Sequence, residues 1–64
     1  MTNSEMTDKV FYSFKNEFGV MTDNIKATAD VITGYGEVTL NNSLTYWCRL
    51  TSKGVKKNSW RREV

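Results

Sequence analysis

Apolar residues recur at every second position along most of this chain, the period expected of strands that bury one face. In KVFYSFKNEF, Val10, Tyr12, Phe14 and Phe18 share one side, with Ser13, Lys15 and Glu17 on the other. In NIKATADVIT, Ile25, Ala27, Ala29 and Val31 alternate with Lys26, Thr28 and Asp30, after a Thr22-Asp23-Asn24 stretch of chain-reversing residues. Gly34-Tyr35-Gly36 punctuates the chain, and EVTL, NNS and LTYWCRL then form two apolar arms around three turn residues.

If Asn41-Asn42-Ser43 is a three-residue loop, Leu40 lies opposite Leu44 and Val38 opposite Tyr46, so the apolar sides of both arms coincide. A two-residue loop would set Leu40 against Ser43 and lose the match. Leu44, Tyr46, Cys48 and Leu50 are then expected to point inward, and Thr45, Trp47, Arg49 and Thr51 outward. After Ser52-Lys53-Gly54, VKKNSWRREV is expected as a last strand, with Lys56, Asn58, Trp60, Arg62 and Val64 on one side and Val55, Lys57, Ser59, Arg61 and Glu63 on the other. Neither side is apolar, as befits a sheet edge guarded by cations.

The fold expected from this pattern is all-β: a small curved antiparallel sheet or partial barrel of about five strands. Residues 1–8 lack periodicity and are expected to be a flexible polar tail, with residues 9–64 forming a single small domain. A competing pattern also exists. Helices near residues 5–18, 22–33 and 43–53, each followed by a glycine (Gly19, Gly34, Gly54), would build a three-helix helix-turn-helix with a basic C-terminal wing. The second segment is rich in β-branched residues, and the third leaves Tyr46 and Leu50 off its apolar stripe.

The run VFYSFKNEFGVMTDNIKATADV followed by EVTLNNSLTYW resembles the strand-rich half of bacterial pleckstrin-homology-like domains, across roughly residues 9 to 50. What the resemblance implies is a curved antiparallel sheet. It carries over no functional residue.

Composition narrows the chemistry. Sixty-four residues bury a small core, worth roughly 3 to 5 kcal/mol, and one cysteine with no histidine supplies neither an internal disulfide nor an ordinary zinc site. The same lack of histidine, with carboxylates dispersed along the chain, argues against an enzyme. Cys48 reads as a small core filler, and Gly34-x-Gly36 lacks the third glycine of a dinucleotide fingerprint. No catalytic residue, cofactor, metal or small-molecule substrate is inferred. The polar, acidic start MTNSEMTD has no apolar run behind it, so the expectation is a cytoplasmic protein without a membrane anchor, in which the Asn41 glycosylation sequon is a chance match.

Net charge is +2, but unevenly placed. From residue 49 onward six cations face only Glu63, a net +5, whereas residues 1–48 hold three cations and six carboxylates, a net −3. Aromatics interleave with the cations, which is how small antiparallel barrels hold single strands. The candidate nucleic-acid-binding residues are Trp47, Arg49, Lys53, Lys56, Lys57, Trp60, Arg61 and Arg62. Six cations on phosphates predict a log-log salt slope of roughly −4. The expected function is therefore a non-enzymatic binding module for an anionic partner, nucleic acid first. The alternative is a protein-interaction or inhibitor protein of phage or mobile-element style, acting through an exposed edge strand or as a homodimer.

Overall fold

A computed structural model of the chain describes residues 2–19, 25–40 and 44–63. The first element is a helix, α1 (Asn3–Phe18), where the alternation predicted a tail and then a strand. Two features of the first residues overrule that expectation. Thr2 caps the helix reciprocally with Glu5: the Glu5 N–H donates to Thr2 Oγ1 and the Thr2 N–H to Glu5 Oε1, both at 3.2 Å. Met6 then extends the Val10 and Phe14 stripe by a turn, and all three are buried. Gly19 ends the helix in the left-handed region at φ 65°, its N–H donating to the Lys15 carbonyl.

The rest is sheet: β1 (Ile25–Asp30), β2 (Tyr35–Leu40), β3 (Thr45–Thr51), β4 (Gly54–Val55) and β5 (Arg61–Arg62). Every pairing is antiparallel, in the order β1-β2-β3-β4 with β5 also on β3, and the sheet curls into a half-barrel with α1 on its inner side. The small curved antiparallel sheet is thus present, with one helix added. Of the helical alternative, the segment near 5–18 with its Gly19 cap is helical, whereas the segments 22–33 and 43–53 are extended wherever regular structure is described.

Val38 lies opposite Tyr46 and Thr39 opposite Thr45, the register expected of a three-residue connection; residues 41–43 themselves lie outside the described residues. Between β1 and β2, Asp30 Oδ1 accepts the Ile32 N–H at 2.9 Å, so the first strand stops there and Val31, expected inward, is exposed in the turn. Asn3 Oδ1 accepts the Val31 N–H at 3.0 Å and ties that turn to the start of α1.

The core is Val10 and Phe14 of the helix against Val38 and Cys48 of the sheet, ringed by partly buried residues including Ala27, Tyr46, Leu50 and Trp60. It is closely packed. A Cβ on Gly36 would sit 2.6 Å from Val10 Cγ2 and 2.9 Å from Cys48 Sγ, so only glycine admits this approach of helix to sheet. Among the described residues, no helix is long and apolar enough to cross a membrane.

Candidate nucleic-acid interface

The inward set of β3 is held by the core, and the period of two then fixes the opposite set outward. Trp47 and Arg49 accordingly stand on the face away from α1, across from Glu37 and Tyr35 of β2. The Tyr35 and Trp47 rings meet edge to face, with centroids 5.7 Å apart. The Arg49 guanidinium lies 5.7 Å from the Tyr35 ring centroid, and its Nη2 donates to Tyr35 Oη at 3.3 Å. Two aromatics and a cation therefore brace one another on the outer surface.

The edge strand supplies the remaining charge through an interruption. Leu50 pairs with Val55 and Trp47 with Arg61, so the chain takes six steps on the edge while β3 takes three, and the surplus bulges outward between β4 and β5. Polar groups close the gap. The Arg49 N–H donates to Ser59 Oγ at 3.1 Å, the Lys56 N–H donates to the Arg49 carbonyl at 2.8 Å, and Ser59 Oγ donates to the Lys56 carbonyl at 2.7 Å. Asn58 takes the left-handed conformation at φ 60°, which asparagine tolerates better than most residues. Lys56 and Lys57 stand at the lip of this excursion, and both are exposed.

The result is a depression of about 330 Å³ lined by Trp47, Arg49, Lys56, Lys57 and Arg61 with Asn58 and Ser59. Five of the eight sequence candidates meet there. Among the described residues no carboxylate pairs with its four cations, so their charge faces solvent. Arg61 is steadied instead by donating from Nη1 to the Trp60 carbonyl at 3.0 Å.

Three candidates fall elsewhere. Trp60 was expected outside as a stacking surface, but it packs inward on Phe14 at 5.2 Å and donates from Nε1 to Ser13 Oγ at 3.2 Å. The cause is the interruption: the expected single strand over residues 55–64 is broken, and the surplus residues change which face follows. Arg62, opposite Tyr46, takes the inner-facing side of the edge, and Lys53 sits in the β3 to β4 turn away from the depression. Conversely, Tyr35 belongs to the outer cluster, although Gly34-Tyr35-Gly36 predicts a turn there. The register that pairs Val38 with Tyr46 already sets Tyr35 opposite Arg49.

On the other flank of Trp47 a broader hollow of about 580 Å³ is lined by Asp30, Glu37 and Glu63 with Thr28, Tyr35 and Trp47. Trp47 thus stands between the four cations of the depression and the three carboxylates of this hollow. Cys48 lies on the opposite side of β3, fully buried, and desolvation pushes its thiol up to about 11 against a smaller opposing effect from its hydrogen bond with the Gly36 backbone. It is packing, with no thiolate available at neutral pH. The chain matches no family model, no curated protein and no solved structure.

Proposed function

We propose that this chain is a non-enzymatic module for single-stranded nucleic acid, with the backbone of the strand running along the cationic depression and a base stacked on Trp47. The observation that carries this reading is the convergence of Arg49, Lys56, Lys57 and Arg61 beside the Tyr35 and Trp47 pair, on the face that the core does not use. Cations attract phosphates without needing a fixed geometry, and an aromatic face accepts any base, at about 1 to 3 kcal/mol per stacked base. The carboxylates beyond Trp47 repel phosphate and so direct the backbone to one side of the ring.

Fluorescence anisotropy with a labelled single-stranded oligonucleotide tests the idea. Four cations in contact give a log-log salt slope of about −3, shallower than the slope from all six, because Lys53 and Arg62 stand apart. Replacing Lys56 and Lys57 by alanine reduces the slope by about 1.4. Trp47→Ala weakens binding by roughly 1 to 3 kcal/mol while leaving the slope unchanged, since it removes stacking and no charge. Absence of binding at low salt, or a slope near zero, overturns the reading.

A further inference from the structure

The rim of β1 is the regular edge of this sheet. Among the described residues β1 pairs only with β2, and the hydrogen-bond parity shows which of its groups are free. The Leu40 N–H donates to the Leu44 carbonyl at 2.8 Å, so by alternation Val38 and Gly36 bond toward β3, and Thr39, Glu37 and Tyr35 bond toward β1. Their partners Lys26, Thr28 and Asp30 are thereby engaged. The N–H and C=O groups of Ile25, Ala27 and Ala29 point out along the rim.

The outward side chains of that strand are Lys26, Thr28 and Asp30, with opposite charges equidistant from a central threonine. Such a strand complements itself when reversed. Turned about a two-fold axis at Thr28, Lys26 lies opposite Asp30 of a second copy, twice, and Ala27 lies opposite Ala29, twice, with their free backbone groups meeting. Thr28 meets its own copy in the close, non-hydrogen-bonded type of pair. Sliding by two residues puts Lys26 opposite Thr28 or Ile32 and loses both charge pairs, and sliding by one turns the wrong face outward.

The helix offers a second contact. Ser13 meets Trp60 and the Lys9 chain lies beside Gly54, so those residues mark the flank of α1 toward β4 and β5. At 100° per residue, the half-buried Phe11 belongs to the opposite flank, toward β1. We infer that the chain forms a two-fold homodimer by pairing β1 with β1 of a second copy in the register centred on Thr28, with the two Phe11 rings adding apolar contact on the inner side. The axis runs perpendicular to the sheet, so both cationic depressions lie on the same face of one continuous sheet. The inference does not depend on what that face binds.

Cysteine scanning tests the register directly. Thr28→Cys places two thiols on the axis at a separation compatible with a disulfide, whereas Lys26→Cys places them far apart. Under oxidised glutathione, Thr28→Cys is expected to run almost wholly as a covalent dimer on a non-reducing gel. Lys26→Cys and the parent chain, whose only cysteine is buried, stay monomeric on that gel. In sedimentation equilibrium the parent chain dimerises, Ala27→Pro does not, and Lys26→Glu weakens association about tenfold. Ala27→Pro leaves the monomer folded, because the N–H it removes faces the open rim. A parent chain that remains monomeric overturns the proposal, and so does a dimer that Ala27→Pro leaves intact or that cross-links equally through position 26.

Discussion

Gly36 and Cys48 set the tolerance of the interior. Since a Cβ at position 36 would run into Val10 and the Cys48 sulfur, Gly36→Ala is expected to destabilise the protein by about 1 to 3 kcal/mol through overpacking, read as a lower denaturant midpoint at unchanged m. Burial of Cys48 has a pH signature. Its thiol is raised from an ordinary 9.0 to about 11, so the folded state favours the protonated form. The associated stability is complete below pH 9 and declines as pH climbs toward 11. Unfolding curves across that window should fall more steeply for the parent chain than for Cys48→Ala, and a thiol reagent at pH 8 should label Cys48 only as denaturant opens the core. The inward place of Cys48 was legible from the alternation of β3. Trp60 was not, because three surplus residues invert the face of whatever follows, and no residue type announces a bulge of this kind in advance.

At the scale of elements, the β2 to β3 hairpin was the most legible part of the chain: one buried face permits a single loop length, and two well-patterned arms fix it. The first element departs from its apparent alternation for an identifiable reason. Val10, Tyr12, Phe14 and Phe18 satisfy a period of two, but Tyr12 is 63% exposed, and Val10 and Phe14 join Met6 at the helical spacing of four. The signal that decides it is Thr2-x-x-Glu5, a capping box within residues whose lack of apolar periodicity predicts a tail. Thr2→Ala should therefore cost roughly 1 kcal/mol of stability in thermal or chemical unfolding. Hydrogen bonds from the Thr2 backbone and hydroxyl also hold the Glu5 carboxyl below its usual value of 4.5. That contribution is present above pH 4.5 and disappears as pH falls through the lowered value, so Glu5→Gln should show a flatter acid limb than the parent chain.

At the scale of the whole molecule, charge asymmetry along the sequence becomes asymmetry across one face, with Trp47 at the boundary between cations and carboxylates. The cations could be gathered from the sequence, but the carboxylates of Asp30 on β1, Glu37 on β2 and Glu63 just after β5 share a wall only through register. A core of this size leaves little stability in reserve, and the proposed pairing through β1 would add to it by mass action. The melting temperature should accordingly rise with protein concentration, and lose that dependence in Ala27→Pro. The excursion at Lys56 to Ser59 has a further effect on assembly. It spoils the far rim of the sheet as a template, since the surplus loop stands where an incoming strand would need continuous partners. With one margin regular and the other interrupted, the proposed pairing would close after a single doubling instead of propagating into a fibre.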